Sequence, residues 1–100
     1  MDINITDTGG KVTIALGGKL TFDVRNDFEA VMSQLNNLAV GELIFDFAGL
    51  EYVDSMGMGY LIKVYDEGKQ KGFKTRIVNA KGEVLQSLRI AHFDELFHIP

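Results

Sequence analysis

The chain has 100 residues, 46% of them apolar and 24% charged, with a formal net charge of −4 at pH 7. This length and composition are typical of one globular domain, so we expect a single domain over residues 1–100. The acidic balance disfavours nucleic acid as a partner, and the lack of cysteine excludes disulfides and thiolate metal sites. No apolar run approaches the roughly 20 residues that span a bilayer. The first residues lack the features of a signal peptide, which predicts a cytoplasmic protein without membrane insertion.

The chain begins with two runs in which apolar and polar residues alternate. Ile3 and Ile5 belong to the first run, and the second contains Val12, Ile14 and Leu16. Separated by a glycine-containing turn, these runs predict a β-hairpin, with Gly17-Gly18 breaking its second strand. Helical spacing follows, which predicts an amphipathic helix through Val24, Phe28, Val31, Met32, Leu35 and Leu38.

The next segments predict two strand–helix–strand units. The continuous apolar run 43–47 is typical of a strand covered on both faces, and 73–78 reads as another strand. Between them lies a helix that opens near Asp54 and ends at Gly72, with Met58, Leu61, Ile62 and Tyr65 as its core-facing set. A short helix through Val84, Leu85 and Leu88 follows. The last apolar cluster, Phe93, Leu96, Phe97 and Ile99, predicts a helical turn and a terminal strand or extended tail.

These elements predict an α/β fold. We expect a mixed sheet of four or five strands packed against helices, with right-handed crossovers between its parallel strands. We also expect the free protein to be a monomer.

One polar junction interrupts this apolar path, where the third strand meets the second helix. Asp54 is suited to be the N-cap, because its carboxylate accepts a hydrogen bond from the first helical turn. Ser55 is either part of that cap or a modifiable hydroxyl at a helix end that favours anions. Gly57 and Gly59 remove Cβ atoms, which allows either close backbone packing or access to Ser55.

Enzyme signatures are missing from the sequence. Val53 occupies the position where a nucleophile elbow needs its first glycine, and Ile62 the position of the third glycine of a dinucleotide fingerprint. His92 and His98 are the only imidazoles, and both stand amid apolar residues near the end of the chain. We therefore expect no catalytic residue, no metal site and no cofactor.

The second helix carries apolar residues beside its expected core stripe. Met56, Tyr60 and Val64 stand at i, i+4 and i+8. A second apolar face is either covered by another element, here the terminal segment 93–99, or exposed for a partner. If it is exposed, these three side chains would bind the partner.

The motif at the start of the second helix resembles the signature of a known family. Residues 53–59, Val-Asp-Ser-Met-Gly-Met-Gly, resemble the Asp-Ser-x-Gly-Leu-Gly signature of the STAS domain of small bacterial anti-sigma-factor antagonists, where x is Ser, Thr or Ala. The resemblance extends over essentially the whole chain and includes Gly18-Lys19-Leu20 and Ile77-Val78-Asn79-Ala80.

The resemblance implies a partner-switching regulator of transcription. In such a cycle the antagonist binds an anti-sigma factor that is also a serine kinase of histidine-kinase-like ATPase fold. The kinase phosphorylates the antagonist, and a PP2C-type phosphatase resets it. The phosphoacceptor falls on Ser55, and the same resemblance places Lys19 and Thr21 near the switch.

The chain departs from the family pattern at three positions. Met56 replaces a small residue after the phosphoacceptor, and Lys19 and Thr21 replace two acidic residues. We include all three with Tyr60 and Val64 in the expected partner-binding surface. Two alternatives remain open: a non-switching STAS subunit of a transport or lipid-trafficking complex, or a small nucleotide- or anion-binding domain that uses the helix N-terminus.

Overall fold

The computed structural model describes residues 1–97 and 99. Its strands are β1 (Asp2–Thr8), β2 (Lys11–Leu20), β3 (Glu42–Val53) and β4 (Lys74–Val78). Its α-helices are α1 (Arg25–Asn36), α2 (Ser55–Lys71) and α3 (Gly82–Ile90), with short 3₁₀ turns at Phe22–Val24 and Phe93–Glu95.

The four strands form one mixed sheet in the order β1-β2-β3-β4. β1 and β2 are the antiparallel hairpin, whereas β2, β3 and β4 run parallel. Parallel neighbours need a crossover, which α1 supplies between β2 and β3, and α2 between β3 and β4. The predicted α/β fold class is confirmed. Ile99 lies outside any strand, and its neighbours His98 and Pro100 are outside the described residues.

The core lies against one side of the sheet. The register pairs Val12 with Leu43 and Ile14 with Phe45. It then pairs Phe45 with Ile77. All five side chains are fully buried in the main hydrophobic cluster. Ile44, whose side chain alternates to the other side, is buried outside that cluster.

The sequence predicted that β2 breaks at Gly17-Gly18, but the strand does not end there. It continues to Leu20, with register shifts between Ala15 and Gly17 and again between Gly18 and Lys19. Gly18 has φ +91°, a conformation that side chains disfavour, so the glycines accommodate a bulge instead of a chain reversal. The extension pairs Leu20 with Val53 and brings the end of β2 to the start of α2.

α2 ends as predicted but faces the core differently. Gly72 is its left-handed C-cap, with its N–H donating to the Gly68 carbonyl at 2.8 Å. The buried residues of α2 are Gly57, Tyr60, Leu61, Val64 and Gly68. Of the expected core-facing set only Leu61 is fully buried; Met58, Ile62 and Tyr65 are partly buried.

Glycine packing explains the rotated face of α2. A Cβ on Gly68 would lie 2.8 Å from a ring carbon of Phe73, so the helix approaches its neighbours along a glycine side. Apolar periodicity does not register glycine as a core residue, and the predicted stripe was therefore displaced.

The terminal segment packs on the middle of α2. The Phe97 ring lies 5.3 Å from the Tyr65 ring in an edge arrangement and stacks on Phe93 at 5.6 Å. Phe93 and Phe97 are buried as expected, but Leu96 is exposed. Among residues 1–97 and 99, no helix combines the length and apolar character that crossing a membrane requires.

Candidate functional site at the start of α2

Asp54 joins three segments of the chain. Its Oδ1 accepts a hydrogen bond from the Gly57 N–H at 2.7 Å, which makes Asp54 the side-chain N-cap of α2. Its Oδ2 accepts from the Phe22 N–H at 3.2 Å. Its own N–H donates to the Leu20 carbonyl at 3.1 Å. Both carboxylate oxygens therefore have structural partners.

Gly57 allows the first turn of α2 to lie directly on the end of β2. A Cβ at this position would be 2.2 Å from the Leu20 carbonyl oxygen and 2.8 Å from the Leu20 Cγ. No side chain fits there without moving backbone atoms. The expectation that this glycine permits close packing agrees with the geometry.

Gly59 has the opposite environment. A Cβ at Gly59 would meet no atom within 4 Å, so the idea that it permits close packing is wrong. Residues four apart share a helix face, which places Gly59 one turn from Ser55. Its missing side chain leaves open space beside the serine.

Ser55 is the first residue of α2 and is exposed. The next residue, Met56, is 55% exposed. Across the junction, Phe22 is 69% exposed although its backbone is hydrogen-bonded to Asp54. Tyr52, at the end of β3, is 47% exposed and pairs in register with Lys19. The junction thus presents a hydroxyl among large exposed apolar side chains.

Phe22 and Tyr52 were not singled out from the sequence. Tyr52 sits next to buried Val53 in β3, so strand alternation was a usable signal for its exposure. Phe22 had no such signal, because its position depends on hydrogen bonds with Asp54 and Tyr60, which lie 32 and 38 positions further along the chain.

Tyr60 and Val64 are not exposed with Met56, and their expected place in a partner-binding surface is wrong. Tyr60 is 8% exposed and Val64 is 0% exposed. The Tyr60 ring stacks on Phe28 at 5.4 Å, and its hydroxyl donates to the Phe22 carbonyl at 3.3 Å. Each four-residue step rotates about 40° around an α-helix, so a line that starts outward at Met56 reaches the core by Val64.

Lys19 and Thr21 flank Leu20, the residue that contacts both Asp54 and Gly57. The Lys19 side chain is exposed beside Tyr52. Thr21 precedes the 3₁₀ turn and its hydroxyl donates to the Asp23 carboxylate. That hydrogen bond is the main reason why the pKa of the exposed Asp23 carboxyl lies below its usual value, and a backbone hydrogen bond is the second reason.

The junction exposes the Ser55 hydroxyl but holds no metal-binding cluster. Within the described ranges 1–97 and 99, no three His, Cys, Asp or Glu side chains are grouped to hold a metal ion. The nearest carboxylate along the chain, Asp54, is engaged with Gly57 and Phe22.

Comparisons with known proteins agree with this architecture. A STAS-domain containing protein of Pseudomonas aeruginosa (strain UCBPP-PA14) is 25% identical over 91 residues, which cover 91% of this chain and 89% of that protein. A putative anti-sigma factor antagonist from Thermotoga maritima superposes with a TM-score of 0.88 at 15% identity, covering 97% of this chain and 84% of the other.

The anti-sigma factor antagonist SpoIIAA is also similar. Its unphosphorylated form gives a TM-score of 0.71 at 21% identity, covering 89% of this chain and 83% of the other. Its phosphorylated form, from Bacillus, gives 0.69 at 19% identity, covering 99% and 91%. The family model described as STAS domain matches residues 2–100. The chain therefore belongs to the STAS domain family.

Proposed function

We propose that this protein is a regulator of the anti-sigma-factor-antagonist type, controlled by reversible phosphorylation of Ser55. It binds an anti-sigma factor that is also a serine kinase of histidine-kinase-like ATPase fold, and a PP2C-type phosphatase removes the phosphate. The cycle operates in the cytoplasm. The observation that carries this proposal is the exposed Ser55 hydroxyl at the capped start of α2.

The relatives support the proposal. Antagonist structures share the fold of this chain, and one of them, SpoIIAA, is known in unphosphorylated and phosphorylated forms. The resemblance of residues 53–59 to the family signature implies that Ser55 is the phosphoacceptor, and the exposure of Ser55 and the open space beside Gly59 support this role.

The partner-binding surface is proposed around Ser55. It consists of exposed Met56, with Lys19 and Thr21 at the adjoining end of β2. Met is unbranched and polarizable, so it adapts to an apolar partner surface. Tyr60 and Val64 support this surface from inside the fold.

A phosphate on Ser55 would act chiefly on docking. It adds a charge of about −1.5 to −2 near neutral pH. The helix N-terminus stabilises an anion by roughly 0.3–1 kcal/mol, and repulsion from Asp54 costs about 1–4 kcal/mol over several ångströms. These opposed energies are small for the free protein, whereas an unmatched charge in an interface costs several kcal/mol. Phosphorylation would thus prevent binding without refolding the domain.

The small-anion alternative has little support at this site. A free anion at the start of α2 would need backbone N–H groups of the first turn. The Gly57 N–H is already bonded to Asp54 at 2.7 Å, and the carboxylate would repel the anion.

Mass spectrometry of the protein from its native cells tests the proposal. We expect a phosphorylated fraction that changes with growth condition and maps to Ser55. The chromosomally encoded Ser55→Ala variant is the control and should lack this fraction. An unmodified Ser55 under all conditions would instead favour a non-switching STAS subunit, with Asp54 acting only as a helix cap.

A further inference from the structure

We propose that Asp54 couples Ser55 to the segment around Phe22, so that a phosphate on Ser55 releases Phe22 from the start of α2. Asp54 is then a positioning residue, and Phe22 is a second element of the surface that the partner reads. The phosphate in this inference rests on the proposed function, but the coupling is a property of the folded chain.

The Phe22 backbone is held from both sides by residues of the α2 start. Its N–H donates to Asp54 Oδ2 at 3.2 Å, and its carbonyl accepts from the Tyr60 hydroxyl at 3.3 Å. Its side chain, however, is 69% exposed. A large, mostly exposed apolar side chain is therefore held at the start of α2 by the hydrogen bonds of its own backbone.

One oxygen of the Asp54 carboxylate caps α2, and the other holds Phe22. The bond to Gly57 is 2.7 Å long and the bond to Phe22 is 3.2 Å long. A phosphate on the adjacent residue repels this carboxylate and competes for the N–H groups of the first helical turn. The longer bond, to Phe22, is expected to break first.

The surrounding backbone limits the response to this segment. Gly57 lies so close to the Leu20 carbonyl that a Cβ would not fit between them, and the Asp54 N–H is bonded to the same carbonyl at 3.1 Å. The response is therefore confined to the Asp54 side chain and to Phe22. A partner that contacts Met56 and Phe22 together would lose an apolar contact in addition to meeting a charge.

Hydrogen exchange at the Phe22 amide tests the coupling in the purified full chain. Protein with phosphoserine installed at position 55 is compared with unmodified protein by NMR. We expect Phe22 N–H exchange to accelerate about tenfold or more, the value for losing a hydrogen bond to a charged group. Amides in the buried part of α2, such as that of Leu61, should keep their rates.

Asp54→Asn separates the coupling from the helix cap. Asparagine is as good an N-cap as aspartate, but with its oxygen on the Gly57 N–H it places an NH2 group, which cannot accept, opposite the Phe22 N–H. We expect the Phe22 amide to exchange rapidly in this variant, with no further change when Ser55 is phosphorylated. Tyr60→Phe is the matched control, because it removes the bond to the Phe22 carbonyl but leaves the response to phosphate intact.

Two results would overturn the coupling. The first is a Phe22 amide whose exchange is the same with and without the phosphate. The second is an undiminished response in Asp54→Asn. Loss of partner binding together with an unresponsive Phe22 would refute the coupling and leave the proposed function standing. A responsive Phe22 in a protein that is never phosphorylated in cells would do the reverse.

Discussion

The two glycines near the start of α2, Gly57 and Gly59, stand two residues apart and have opposite surroundings. A Cβ on Gly57 would collide with the Leu20 carbonyl at 2.2 Å, whereas a Cβ on Gly59 would meet no atom within 4 Å. The inner face of the α2 start, which includes Gly57, is fixed by contact with the end of β2. The outer face, which includes Ser55, is open. The same residue type therefore serves packing on one face and leaves access on the other.

The difference between an inner and an outer face continues along α2. Tyr60 and Val64 continue the inner face into the core, while Met56 lies on the exposed side. Substitutions on the inner face should therefore change the free energy of unfolding. Those on the outer face should change binding and leave the fold intact.

The largest effect is expected for Gly57→Ala. The added methyl group requires the α2 start or the β2 end to move, because the atom it meets is a backbone oxygen. We expect a loss of about 3 kcal/mol or more in the free energy of unfolding, at the upper end of overpacking costs. Urea denaturation measures this free energy, with Gly59→Ala as the control. Equal stability of the two variants would contradict a packed inner face and an open outer face.

Val64→Ala should have the next largest effect. Val64 is fully buried, so the lost methyl groups leave a cavity that costs about 2 kcal/mol of stability. Met56→Ala is the matched variant on the outer face and should change stability by less than about 0.5 kcal/mol. Chemical denaturation of both distinguishes them. A destabilisation by Met56→Ala as large as that by Val64→Ala would show that Met56 is packed.

Gly59→Ala is expected to stabilise the protein. Its helical position has room for a methyl group, and alanine is favoured over glycine within a helix by about 1 kcal/mol. The increase should appear as a higher midpoint in urea with an unchanged slope. A lower midpoint would mean that the outer face is less open than the geometry indicates.

The smallest effect concerns Asp23, the residue that follows Phe22 in the 3₁₀ turn. The Thr21 hydroxyl lowers the pKa of this carboxyl, so its stabilising contribution is present above the unfolded pKa of about 3.9. The contribution disappears as the pH falls through the lower folded pKa. Carboxyl-carbon NMR should show an Asp23 midpoint that rises in Thr21→Val; an unchanged midpoint would exclude the hydroxyl as the cause.

Local patterns in the sequence were sufficient to predict the hairpin, the main helices and the Gly72 end of α2. Alternation and helical spacing report which residues prefer burial within one element. They could not predict that β2 continues past Gly17-Gly18, because a bulge and a turn use the same residues.

The orientation of α2 and the place of Phe22 depend on tertiary contacts. Gly57 and Gly68 let α2 pack closely on its neighbours along a side where two of the contact residues are glycines, and this packing buries Tyr60 and Val64. Phe22 is held by Asp54 and Tyr60, far away in the sequence. The motif at residues 54–59 located the site, whereas the composition of its surface required the structure.

The most direct test of the switch compares two forms of the same purified chain. Calorimetry would measure the dissociation constant for the proposed partner, a serine kinase of histidine-kinase-like ATPase fold, before and after phosphoserine is installed at Ser55. A loss of about 3–4 kcal/mol corresponds to binding that is more than a hundredfold weaker, which is the predicted result. Equal affinity of the two forms would contradict control by Ser55.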